Sequence, residues 1–139
     1  MSLTNAPPMI TQFSTQLQAC ASWTAASLST NVWYPEAPEG TAGPYVVLGF
    51  ASGQRFEKHA EGVTPIPSSD LFFTVWKADT TGNLETLVGA ILSELLTQVT
   101  GIPFRSGDGM NAAEVGAARS AAGETLYGVS ATVSQGLVP

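Results

Sequence analysis

Positive charge is scarce in this sequence. Arg55, Lys58, Lys77, Arg105 and Arg119 are its only lysines and arginines, against eleven acidic residues, and the net charge is −6. Tight binding to nucleic acid or to anionic lipid needs clustered cations, so both are disfavoured as partners. Cysteine is scarcer still. Cys20 stands alone, which excludes an internal disulfide framework, and with His59 as the single histidine no zinc site can be assembled. No apolar run approaches membrane-spanning length, and residues 1–20 lack the basic start and continuous apolar stretch of a secretory signal. The expectation is a soluble protein, made and used in a cytoplasm. Charged residues make up only 12% of the chain while hydrophobic ones make up 44%, a balance that suits a globular core under a weakly charged surface. Such a surface is either covered by neighbours in an oligomer or built from Ser, Thr and Gly; both readings stand at this point.

What the sequence does have is one strong local pattern, over residues 70–100. Asp70-Leu-Phe-Phe-Thr-Val-Trp-Lys-Ala78 is dense in aromatic and β-branched residues and predicts a strand. Leu71, Phe73 and Val75 point one way, Phe72, Thr74 and Trp76 the other. Asp79-Thr-Thr-Gly-Asn83 is a turn by composition. From Leu84 the period changes to that of a helix, with Leu84, Leu87, Val88, Ile91, Leu92, Leu95 and Val99 on one stripe. Asn83 is the expected helix cap, and Gly101 with Pro103 the expected stop.

The rest of the 139-residue chain, which as a whole is long enough for one domain, attaches to that seed. Residues 1–8 read as an arm. Ile10, Phe13, Leu17, Cys20 and Ala21 follow helical spacing and predict a first helix reaching Ser22 or beyond. Thr30-Asn-Val-Trp-Tyr34 predicts a short strand stopped by Pro35; residues 36–43 are a Pro/Gly loop; Pro44-Tyr-Val-Val-Leu-Gly-Phe50 predicts a strand covered on both faces. Residues 51–69, with the charge cluster Arg55-Phe-Glu-Lys-His59, read as an extended hairpin-like loop with room for an edge strand, because their prolines forbid a central one. Ile102-Pro-Phe104 starts a short strand. Residues 105–123 are rich in Gly, Ala and Ser and read as a helix or an excursion, and Tyr127, Val129, Ala131 and Val133 alternate as a last strand. Short connections favour antiparallel pairing of the first three strands. The expected fold is α+β, a mainly antiparallel sheet of about four or five strands with two helices on one face.

A search for chemistry returns little. Cys20 sits on an apolar stripe and His59 in a charged loop, so a buried thiol and a solvated imidazole describe them better than a dyad. Ser106-Gly-Asp-Gly-Met-Asn111 with Glu114 lacks the acidic alternation of a calcium loop. Glu36 and Glu39 lie in a loop with no pocket implied, and no phosphate loop is present. Trp33, Trp76, Tyr34 and Phe50 could make a sugar-binding face, yet they alternate within strands, as core residues do. No catalytic residue, cofactor or metal is expected, and the chain reads as a non-enzymatic structural or interaction protein.

Two local patterns and the order of elements resemble a known family. Val32-Trp-Tyr-Pro35, a Pro/Gly loop and Gly43-Pro-Tyr-Val-Val-Leu48 are similar to the opening of the tail terminator (tail completion) proteins of long-tailed bacteriophages. The strand over 71–76 feeding the helix over 84–99, and the closing strand at 127–133, resemble that family's second half. The resemblance spans most of residues 10–134 and leaves 51–69 and 105–123 unmatched. It implies a virion protein that closes into a ring, six-fold in expectation, on the head-proximal end of the tail tube. There it would stop tube polymerisation, meet the head-side connector and let DNA pass without specific binding. An acidic lumen agrees with that passage. Interface roles alone carry over. The two unmatched segments nominate Arg55, Glu57, Lys58, His59, Arg105, Asp108, Glu114 and Arg119 as subunit or tube contacts; the outward side of the strand–helix unit nominates Lys77, Glu85 and Glu94. Another neck or head-completion subunit, and a small carbohydrate- or ligand-binding module, are the alternative readings.

Overall fold

A computed structural model describes residue 3 and residues 5–57, 66–97, 104–105, 112–119 and 123–136. At residues 30 and 119 and over 51–57, 66–70, 104–105, 112–114 and 134–136 the description is of the backbone. The chain begins with helix α1 (Pro8–Gln18), entered through prolines whose fixed φ suits a first helical turn. Ile10, Phe13 and Leu17 are fully buried along one stripe, as their spacing requires. The helix does not run on through Ser22. Cys20 is extended (φ −79°, ψ 130°), and a second helix, α2 (Ala21–Ala25), starts after it. The break has a tertiary cause. It frees the Ser22 N–H, which donates to both carboxylate oxygens of Glu94 at 3.1 and 3.3 Å, an acceptor 72 residues away. Trp23 then plugs the core, with its indole N–H donating to Ser29 Oγ at 2.8 Å.

After a single 3-10 turn (Leu28–Thr30) comes β1 (Val32–Trp33), which pairs parallel to β2 (Tyr45–Glu57), Val32 opposite Val46. The antiparallel expectation fails here because the 34–44 loop carries the chain back to the end where it started. Asn31 anchors that return: its carbonyl accepts from Val46 N–H at 2.9 Å, its amide donates to the Ala42 carbonyl at 3.1 Å, and its Oδ1 accepts from the Trp33 indole at 2.6 Å. β2 and β3 (Ile66–Lys77) form a long antiparallel pair from Tyr45↔Trp76 to Glu57↔Ile66, with an irregularity between Phe50 and Gln54. Most of 51–69 is therefore strand and not loop. Pro67 is accommodated because it faces Phe56 on one side while the β6 ladder on the other begins only at Ser68.

Helix α3 (Thr81–Leu96) follows β3 directly. Its cap is Thr80, one turn earlier than expected; Thr80 Oγ1 accepts from Asn83 N–H at 3.2 Å. Asn83 acts through its side chain, donating to Asp79 Oδ1 at 3.0 Å. Leu84, Val88, Ile91 and Leu95 are fully buried, and Thr97 closes the helix; Val99, Gly101 and Pro103 lie outside the described residues. Burying a large aliphatic side chain contributes about 1.5–3 kcal/mol, so this stripe is a main source of stability. β4 (Phe104–Arg105) and β5 (Ala112–Arg119) both pair antiparallel with β6 (Thr125–Gly136), which also pairs with β3. The 105–123 segment thus contains a sheet strand where a helix or excursion was expected. Ala and Gly carry too little pattern to announce it; the ladder supplied by β6 decides its conformation.

The sheet order is β1-β2-β3-β6-β4, with β5 on the same side of β6 as β4. The α+β, mainly antiparallel architecture is as expected, β1 being the parallel exception. One sheet face presents Val46, Leu48, Leu71, Phe73, Val75, Val129, Ala131 and Val133 to the three helices, forming a single core cluster. On the other face Tyr45 stacks on Trp76, ring centroids 6.1 Å apart. Glycine beneath the rings lets them lie flat: a Cβ at Gly128 would sit 2.7 Å from the Trp76 ring, and one at Gly49 would sit 2.6 Å from Phe72.

Candidate functional site

Those of the nominated residues that are described do not gather at one place. Arg55 and Glu57 fall on the far half of β2, opposite Ser68 and Ile66. Arg105 is on β4 opposite Ser134, and Glu114 and Arg119 mark the two halves of β5, opposite Val129 and Thr125. Lys58, His59 and Asp108 lie outside the described residues, as does the 106–111 segment weighed as a calcium loop. Glu85 is exposed on α3. Glu94 is half-buried, and its carboxylate is taken up inside the subunit by Ser22 N–H. Lys77 pairs with Asp79 at 3.8 Å with both side chains about a third exposed, a contact worth little by itself.

The chemical candidates fare no better. Cys20 is 2% exposed, its Sγ within 3.6 Å of the Gln16 carbonyl and 3.8 Å of the Ile91 carbonyl, a packed thiol between α1 and α3. Among the described residues no three His, Cys, Asp or Glu side chains converge as metal ligands would. The four strand aromatics are split between faces. Tyr34 and Phe50 meet edge to face at 6.5 Å and pack against the helix-side core, whereas Trp76 stacks on Tyr45 on the opposite side. A flat sugar platform needs them together. Burial pushes the Tyr45 phenol above its ordinary pKa, as expected of a ring wedged under a tryptophan.

A feature the sequence reading missed lies at the β5 end of the sheet. Two large hydrophobic side chains stand out as exposed among the described residues, Val115 at 56% and Tyr127 at 37%, and both are here. Val115 is pushed out by a bulge, since Glu114 opposes Val129 and Gly116 opposes its neighbour Gly128. Tyr127 is paired with Ala117. Beside it runs a shallow groove lined by Ala78, Asp79, Thr80, Thr81, Thr125 and Tyr127, in front of the first turn of α3. Asp79 is fixed there by hydrogen bonds from the Asn83 side chain and the Thr80 N–H, which, with Lys77 nearby, hold its carboxyl below the usual carboxylate range. The alternation of β6 signalled that Tyr127 shares a face with Val129; it could not signal that the helices stop short of it. This end of the sheet sets two exposed apolar side chains beside a groove lined mainly by Thr and Asp.

No protein-family model matches the sequence, and no characterised protein is significantly similar to it in sequence. Among solved structures, a chain from the "Virion of native gene transfer agent (GTA) particle" superposes with a TM-score of 0.52 at 16% identity, covering 96% of this chain and 98% of that one. No helix among the described residues is long and apolar enough to cross a membrane.

Proposed function

We propose that this chain is a structural, non-enzymatic subunit of a phage-like virion, and within the virion a tail terminator: a ring at the head-proximal end of the tail tube that stops polymerisation and joins the connector. The observation that carries the reading is the end-to-end likeness of fold to a virion chain, covering almost all of both chains. The Trp-Tyr-Pro and Pro-Tyr-Val-Val patterns around the 34–44 loop resemble those of tail terminators, and in this fold they have a structural job. They bracket the loop that sets β1 parallel to β2, with Asn31 as its anchor. A net charge of −6 is compatible with a lumen past which DNA slides.

The test is to add the purified chain to polymerising tail-tube protein from the same particle and to measure tube lengths by negative-stain microscopy. Tubes that stop growing, each with a ring at one end, support the terminator. Unchanged tubes with binding to the head-side connector alone transfer the protein to another neck position. Binding to neither removes it from the neck altogether.

A further inference from the structure

β5 closes one side of the sheet, and among the described residues no strand pairs with its outer edge. Proteins usually guard such an edge with lysine, proline or irregularity. Ala112-Ala-Glu-Val-Gly-Ala-Ala-Arg119 has neither lysine nor proline. Its one irregularity, the bulge at Val115, leaves the stretch from Gly116 onward in regular register with Gly128, Tyr127 and Leu126. Gly116, Ala117 and Ala118 have side chains too short to hold another strand away. The two exposed apolar side chains, Val115 and Tyr127, flank this same stretch.

The opposite side of the sheet has an open edge too, set further along the strands, since β5 reaches only to the level of Leu48 on β2 (Ala112↔Ala131, Ala131↔Phe73, Phe73↔Leu48). β1 covers β2 only at Val46 and Val47, so beyond Val47 no described strand occupies that side of β2. We propose that the β5 edge of one copy adds to the open stretch of the β2 edge, beyond Val47, of a second copy of this chain, head to tail and displaced along the strands, so that the sheet runs on from subunit to subunit. Strand directions favour it. β2 and β6 run one way, β3 and β5 the other, so a sheet continued in the same orientation sets β5 antiparallel to the neighbour's β2, the stronger of the two pairings. The occupant is a second copy because an identical chain necessarily brings the complementary edge, and because two different edges in contact make a heterologous interface, which propagates until it closes. Closure into a ring rests on the reading above; the edge contact does not.

The test uses the full chain at millimolar concentration and a variant carrying Val115→Glu and Ala117→Lys, both at exposed positions. Sedimentation velocity reads the oligomer, and circular dichroism confirms the fold. The expected result is a wild-type oligomer larger than a dimer and a folded, monomeric variant. The blocked variant keeps its free β2 edge, so adding it to wild type should give shorter assemblies that contain it. A wild type that stays monomeric, or a variant that assembles as wild type does, overturns the proposal. So does a wild type that stops at a dimer from which the variant is excluded, the signature of β5 pairing with itself. If the variant fails to fold, amide hydrogen exchange on wild type decides: protection of residues 115–118 must rise with concentration, and unchanged exchange overturns the contact. Edge-joined oligomers that leave tubes uncapped would refute the terminator and not the edge contact; capped tubes with unprotected β5 amides would do the reverse.

Discussion

At the scale of single residues, the sheet face away from the helices depends on glycines that a sequence reading passes over. Gly128 is buried and has the Trp76 ring where its Cβ would be, 2.7–2.8 Å from three ring atoms. An added methyl there must displace a flat aromatic ring that also stacks on Tyr45. Gly128→Ala is expected to lose about 1–3 kcal/mol in urea unfolding, the cost of overpacking. Trp76→Leu in the same chain should recover part of it, because the two changes share one space. Additive losses would show that the ring simply swings out. Asp79 makes a second residue-scale prediction. Hydrogen bonds from Asn83 and Thr80 depress its folded pKa, so the stability it contributes is present above the unfolded carboxylate pKa and lost as pH falls through the folded value. The difference in melting temperature between wild type and Asp79→Ala should therefore be largest near neutral pH and vanish in acid. A difference that persists in acid would place the effect in the residue's shape and not its charge.

At the scale of elements, α3 is the piece whose loss the fold cannot absorb. Ile91 is fully buried at its centre, its carbonyl meeting the Cys20 thiol in the break between α1 and α2 and its side chain in the core cluster with the sheet. Ile91→Asp buries an unpaired charge, and a loss of more than about 4 kcal/mol is expected, seen as a chain without a cooperative thermal transition. Glu85→Lys, on the exposed side of the same helix, should move stability by less than about 0.5 kcal/mol. This helix and β3 were legible because their apolar residues keep strict periods of 3.6 and 2. Elements decided by distant partners were not. The break at Cys20 depends on Glu94, the direction of β1 on Asn31 and the loop it holds, and β5 on a ladder offered by β6. The exposed apolar surface was least legible of all. Charge drew attention to Glu94 and Lys77, whose described contacts are internal, while the exposed surface at the β5 end is marked by Val115 and Tyr127.

At the scale of the whole molecule, Phe13, Trp23, Phe73 and Ile91 are all fully buried in one core cluster that joins the helices to the sheet. A core of that kind leads us to expect that assembly and folding are separable, unlike those of obligate oligomers whose interface is half of the core. Edge-to-edge addition still leaves a thermodynamic trace. A contact made only by folded chains stabilises them by mass action, in proportion to the logarithm of concentration over the dissociation constant. The wild-type melting temperature is therefore expected to rise with protein concentration, whereas the Val115→Glu, Ala117→Lys chain should melt at a temperature independent of concentration. The two should converge on dilution, because the substituted positions are exposed and carry little of the subunit's own stability. Calorimetry over a hundredfold concentration range measures both slopes. A concentration-independent wild type would mean that the native chain does not associate through any surface in that range. Equal rising slopes for the two proteins would place the association elsewhere than β5.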